Sequence, residues 1–139
     1  MLPMFSHVTL GTGDYAASVR FYRALLAPLG LECFEDDTAS GWAGWKRPGQ
    51  AAEFYICPPF NGAPATAGNG TMVAFLAPDP DTVDAAYAAG IAAGGTDDGP
   101  PGPRPIYNDA YYGAYLRDPD GNKVALCRRG DIMIPPAAP

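Results

Sequence analysis

The feature that most constrains the fold of this chain is an internal repeat. Shifting the numbering by 65 carries His7 onto Met72, Val8 onto Val73, Leu10 onto Phe75, Asp14 onto Asp79 and Gly30 onto Gly95. A strand-like run, a capping aspartate, a helical stripe and a terminating glycine thus recur in one register, as a duplicated strand–helix unit would produce. In the first unit Asp14 caps a helix whose apolar face is Tyr15, Ser18, Val19, Tyr22, Leu25, Leu26 and Leu29. Arg20 and Arg23 fall on the opposite side, and Gly30 is the stop. In the second unit Asp79 caps and Pro80 takes the first helical position. Val83, Ala86, Tyr87 and Ile91 form its stripe, and Gly94-Gly95 ends it.

Three strand-like runs follow each helix. The spacing predicts Leu31–Glu35, Trp42–Lys46 and Glu53–Cys57 after the first, then Arg104–Tyr107, Tyr111–Arg117 and Asn122–Cys127 after the second. Asp118-Pro119-Asp120-Gly121 turns the last pair: Pro119 presets φ, Asp118 can bond within its own turn, and Gly121 tolerates a positive φ. The Pro- and Gly-rich stretch from Pro58 to Gly70 is the linker. Each half is therefore βαβββ, and the expected fold is α+β: one domain over 1–139 with modules at about 5–58 and 71–130. The tail from Ile134 onward is expected to be mobile. Strand alternation puts Val8, Leu10, Val73, Phe75, Val124 and Leu126 beneath the helices. The opposite faces carry His7, Thr9, Met72, Ala74, Lys123, Ala125 and Cys127.

A chain that is 47% hydrophobic and 17% charged is expected to pack a core. Its net charge of −6 argues against a nucleic-acid groove, which needs basic patches. Three cysteines, Cys33, Cys57 and Cys127, without a CxxC spacing read as reduced thiols and not as a disulfide frame or zinc site. The opening MLPMFSHV has no signal-peptide pattern, and no apolar run is long enough to span a bilayer. These points predict a soluble, cytoplasmic protein with neither nucleic acid nor membrane as partner.

The segments FSHVTLGTGD with SVRFYRALLAPLGL, NGTMVAF with the helix after it, and YYGAYLRDPDGNK occur in this order across nearly the whole chain. Together they resemble the vicinal oxygen chelate superfamily, which includes glyoxalase I, bleomycin-resistance proteins and extradiol dioxygenases. The resemblance implies paired βαβββ modules curving round a cup, and a homodimer. In the metal-dependent branches, ligands come from the first strand of each module and from the last strand. Carried over, those places are His7, Met72 and Ala125. Only His7 is a usual ligand, because a thioether is a soft, weak donor and a methyl group has no lone pair. The expectation is a binding protein for a small, partly aromatic molecule, with a degenerate metal site and no cofactor. The alternative is a divalent-metal-dependent lyase, isomerase or dioxygenase using His7 and Glu53, since glyoxalase I-like members use a Glu in that strand. Whether the protein is an enzyme stays open.

Other candidates follow from residue type. His7, the sole histidine, reads as a hydrogen-bonded wall residue or as a general acid or base. Of the aromatics on the third and fourth strands of the first module, Trp45 and Tyr55 are expected to line the cavity. Arg104 is a candidate anchor for an anionic ligand. Tyr107 and Asn108 stand before the final hairpin, where relatives of this type often carry a histidine at the place of Ile106 or Asn108. Tyr112 is expected to offer a phenolic hydrogen bond.

Overall fold

The computed structural model describes residues 2–131. Strand β1 (His7–Gly11) leads into helix α1 (Tyr15–Leu26) and a 3-10 turn (Ala27–Leu29). Strands β2 (Glu32–Asp37), β3 (Trp42–Lys46) and β4 (Glu53–Cys57) complete the first module. The second runs β5 (Met72–Leu76), α2 (Pro80–Ala92), β6 (Thr96–Pro103), β7 (Tyr112–Arg117) and β8 (Lys123–Arg128). Each module forms a four-stranded mixed sheet, β1-β4-β3-β2 in one and β5-β8-β7-β6 in the other. Among the described residues, β1 with β4 and β5 with β8 pair parallel and the other neighbours antiparallel. This is the expected α+β duplication of βαβββ. The tail beginning at Ile134 lies outside the described residues, and within them no helix is long and apolar enough to cross a membrane.

The helix ends follow their sequence signals. The Asp14 side chain accepts from the Ala17 amide and the Asp79 side chain from the Thr82 amide, each satisfying a donor the helix itself cannot. Gly30 takes a left-handed φ of 75°, which removes the steric cost a side chain would meet there. The buried face of α1 is Ser18, Phe21, Tyr22, Leu25 and Leu26, so Phe21 joins the predicted stripe. On α2 the buried residues are Val83, Ala86 and Gly90, whereas Ile91 of the predicted stripe is exposed. The reason is helix against helix. Leu25 and Phe21 of α1 crowd Gly90, where an added Cβ would lie 2.8 Å from Leu25 Cδ1.

One apolar cluster joins both modules. It takes Leu10 from β1, Ala43 and Trp45 from β3, Phe54 and Ile56 from β4, Ala114 and Leu116 from β7, and Val124 and Leu126 from β8. Val8, Val73 and Phe75 pack against it, so the alternation predicted for the first and last strands holds. Phe54 meets Phe75 edge-on at 5.1 Å between centroids.

The predicted strand Arg104–Tyr107 is corrected. That segment is a turn, with the Tyr107 amide donating to the Arg104 carbonyl, and the strand is Thr96–Pro103. Its prolines are tolerated because β6 is the outer strand of its sheet, where a missing N–H leaves no ladder partner unsatisfied. Two register shifts, between Asp97 and Gly99 and between Gly99 and Gly102, absorb the irregularity.

The turn between β7 and β8 clasps the two modules. Asp118 is 3% exposed and both carboxylate oxygens are bonded. Its Oδ1 accepts from the amides of Asp120 and Asn122, and its Oδ2 from Asn122 Nδ2 and the Tyr22 hydroxyl of α1. Asp120 Oδ1 accepts from the Gly13 amide, and Asn122 Nδ2 also donates to the Gly11 carbonyl. The motif that marks the hairpin in sequence therefore works as a bridge from the last hairpin to the first strand and helix.

Candidate functional site

Each sheet has one face on the helices and one turned away from them, and the open faces carry the polar and aromatic side chains. In β1 and β4 the register pairs His7 with Glu53, Thr9 with Tyr55 and Gly11 with Cys57. In β5 and β8 it pairs Met72 with Lys123, Ala74 with Ala125 and Leu76 with Cys127. The two modules can thus be laid on each other pair by pair. Met72 stands where His7 stands, and Ala125 stands where Tyr55 stands. Glu53 falls on the place of Lys123, one pair earlier than Ala125.

His7, Glu53 and Tyr55 are brought together. The Tyr55 hydroxyl donates to Glu53 Oε1 at 2.9 Å, and the His7 ring meets Tyr55 edge-on at 6.0 Å. Ser6 Oγ lies 2.9 Å from His7 Nδ1. Burial, reinforced by the bond to Glu53, pushes the Tyr55 phenol up to about 12, so it stays protonated. Phe34 and Trp42 close on the same ring at 5.7 and 5.6 Å. The floor beneath it is open because Gly44 lies opposite Tyr55 in the β3–β4 ladder. A Cβ at Gly44 would sit 2.7 Å from Tyr55 Cε1 and 3.0 Å from Phe34 Cζ.

Trp45 does not line this face. It is 1% exposed and packs against Tyr22 and Phe54 beneath the helices. In the antiparallel ladder Trp45 lies opposite Phe54, whose side is the core, while Trp42 and Gly44 share the open side. Trp42, which sequence reasoning passed over, takes the role expected of Trp45. The signal for it was parity with Tyr55 across the β3–β4 ladder.

On the second sheet Met72 is exposed and Ala125 is buried between Ala74 and Tyr115. Tyr115 takes two cations over its ring, Arg104 at 5.7 Å and Lys123 at 5.3 Å. The Arg104 guanidinium also donates to the Pro100 and Pro103 carbonyls. Lys123 and Arg117 share Asp98. Tyr112 is a second correction. It points to the helix side, where its hydroxyl donates to Asp84 of α2 at 2.7 Å, because residues of even number on β7 face the core. Tyr111 and Tyr115 occupy the open side in its place. Tyr107 is exposed and rests against Tyr111 at 4.9 Å, and Asn108 closes its own turn by accepting from the Ala110 amide.

The two open faces differ in charge. The first carries Glu32, Glu35, Asp37 and Glu53 against Lys46; the second carries Arg104, Arg117 and Lys123 against Asp98. Among the described residues no group of three or more His, Cys, Asp or Glu side chains stands together to hold a metal ion.

The Proline-rich linker folds back as a strap over one end of the first open face. With Thr9, Gly11, Trp42 and Cys57 it encloses a cleft of about 790 Å³, whose strap side runs from Pro58 to Thr66. Pro59 and Ala65 rest on Gly11, each within ordinary contact distance of where a Cβ would be. Phe60 stands fully exposed on the strap, and burial raises the Cys57 thiol pKa.

A family model described as the Glyoxalase/Bleomycin resistance protein/Dioxygenase superfamily matches residues 4–126. A glyoxalase/bleomycin resistance protein from Albidiferax ferrireducens T118 is 44% identical over 91% of this chain and 99% of its own, with a TM-score of 0.79. A glyoxalase-related enzyme from Fulvimarina pelagi, 20% identical, covers 99% of this chain and 96% of its own at a TM-score of 0.75. Lactoylglutathione lyase from Agrobacterium tumefaciens, 22% identical, covers 91% and 94% at 0.62. The latter two support the fold alone. No curated protein matches this chain.

Proposed function

This chain belongs to the glyoxalase/bleomycin resistance protein/dioxygenase superfamily, and from that premise we propose that it binds a small, partly aromatic molecule without needing a metal. The observation that carries this reading is the register equivalence of the two modules. The four corresponding places are His7, Tyr55, Met72 and Ala125, and only the first offers an ordinary ligand for a divalent ion. The Tyr55 hydroxyl is already engaged, donating to Glu53 Oε1. Around these places stand aromatic and small residues, Phe34, Trp42, Gly44, Ala74 and Tyr115. With Glu53 and Lys123 as charged neighbours, this mixture suits an organic ligand site. The proposal includes a homodimer, supported by the family resemblance and by open faces of opposite charge, which sedimentation velocity tests. It also includes a cytoplasmic setting, supported by three unpaired cysteines.

Thermal unfolding in the presence of a small aromatic compound library, with and without EDTA, tests the binding reading. Hits whose stabilisation is unchanged by EDTA support it. Hits that appear only with added divalent metal overturn it.

One observation favours a second reading, a metal-dependent lyase, isomerase or dioxygenase. His7 and Glu53 are direct partners in the β1–β4 ladder, so two potential ligands share one edge of the open face. Elemental analysis of untagged protein decides between the readings. A stoichiometric transition metal that is lost in a His7→Ala variant establishes the second.

A further inference from the structure

The charged side chains of the first open face, Glu32, Glu35, Asp37, Lys46 and Glu53, all lie outside the strap cleft. The residues lining it are Thr9, Gly11, Trp42, Cys57 and the strap from Pro58 to Thr66, and none of them carries a charge at neutral pH. Its one ionisable group is the Cys57 thiol, which burial keeps protonated. Trp42 presents a half-open ring on the sheet side, and Phe60 stands free on the strap side. Polar and apolar surface are mixed in the lining, and the polar part is uncharged. Asn61 Oδ1 accepts from the Ala63 amide, which leaves its amide N–H groups to donate, and Thr9 and Thr66 add hydroxyls.

We propose that this cleft is a subsite for an uncharged, planar aromatic group, held between Trp42 and Phe60 with one hydrogen-bond acceptor toward Asn61. The inference rests on the small-molecule reading above and sharpens it to a ligand class. Volume and chemistry agree: about 790 Å³ is in the range of organic ligand sites. A charged group entering would give up part of its water with no counter-ion in the lining to compensate. The strap lies over Gly11 through Pro59 and Ala65, so the cleft stands without a ligand in it.

The test is a calorimetric titration with three probes of nearly equal shape: 2-naphthylmethanol, 2-naphthoate and 2-naphthylmethylammonium. The neutral probe is expected to bind at least about tenfold more tightly than either charged one, given the cost of burying an unpaired charge. Trp42→Ala and Phe60→Ala are each expected to weaken the neutral probe severalfold, up to about tenfold, on the usual worth of an aromatic contact. Phe60 is fully exposed, so its removal leaves folding intact and keeps the test decisive. Equal binding of a charged probe, no binding of the neutral one, or indifference to both substitutions overturns the assignment. The two readings fail separately. Binding that needs added divalent metal but still falls in Trp42→Ala defeats metal independence and keeps the cleft. Metal-free binding indifferent to both substitutions does the reverse.

Discussion

The Tyr22 hydroxyl donates to Asp118 Oδ2 across 2.6 Å, tying the first helix to the turn of the last hairpin. Both partners are buried, so the bond is made where water cannot replace it. Tyr22→Phe removes the donor and leaves Asp118 Oδ2 with Asn122 alone. The expected loss is about 1–3 kcal/mol, the range for a buried acceptor deprived of a partner, read from the urea midpoint.

Alkaline pH acts on the same bond. Burial, followed by the nearby Asp118 charge, raises the Tyr22 pKa well above its ordinary value of 10.0. Burial likewise pushes Tyr15 and Tyr55 up to about 12. A phenol whose folded pKa is raised holds its proton longer when folded than when unfolded, so stability falls as pH rises from the unfolded value toward the folded one. The tyrosine contribution to stability should therefore be constant below about pH 10 and decline between about 10 and 12. The difference between wild type and Tyr22→Phe should narrow over the same interval. Urea titrations at successive pH values check both, and a difference that is constant to pH 12 would contradict the assignment.

The two tryptophans should separate stability from binding. Trp45→Ala empties a core position and is expected to cost about 3–5 kcal/mol, as large buried aromatics do. Trp42→Ala removes a partly exposed ring and should cost under about 1 kcal/mol. Of the two, only Trp42→Ala should weaken binding of the neutral naphthyl probe severalfold, read from the heat of titration.

Gly44→Ala should disturb the floor of the open face. A Cβ there meets the Tyr55 ring at 2.7 Å and Phe34 at 3.0 Å, so one ring must move. Overpacking of this kind costs about 1–3 kcal/mol. Displacing Tyr55 also breaks its bond to Glu53, so the Tyr55 phenol should titrate at lower pH than in wild type, measured by tyrosinate absorbance.

Much of this architecture was legible before any coordinates. The pairing of Val8 with Val73 and Leu10 with Phe75 marked a duplicated unit, and bulky side chains at every second place told the core face from the open one. Trp45 and Tyr112 were misplaced because an aromatic side chain suits either face of a strand, and only its cross-strand neighbour decides. Phe54 opposite Trp45, and Leu126 opposite Ala114 on the face that Tyr112 shares, supply that information, but it becomes usable only when the ladder register is known. The strand at Thr96–Pro103 escaped notice because three prolines argue against any strand except an outer one. Phe21 was missed because its burial comes from the approach of α2 at Gly90, a contact between distant segments. The strap cleft was illegible for the same reason, since a Pro- and Gly-rich linker does not announce what it folds over.

The clasp at the Asp118 turn has a consequence for how the protein is made. Its bonds from Tyr22, Gly13 and Gly11 span 96, 107 and 111 residues of chain. Contacts of such sequence separation close slowly, because loop entropy is lost before they return any stabilisation. On the ribosome the first helix therefore waits with its Tyr22 acceptor still unsynthesised, and the two halves lock only after the final hairpin has emerged. A nascent chain interrupted upstream of Asp118 leaves a hydroxyl without its acceptor at the centre of the core, which marks the fragment for unfolding and proteolysis.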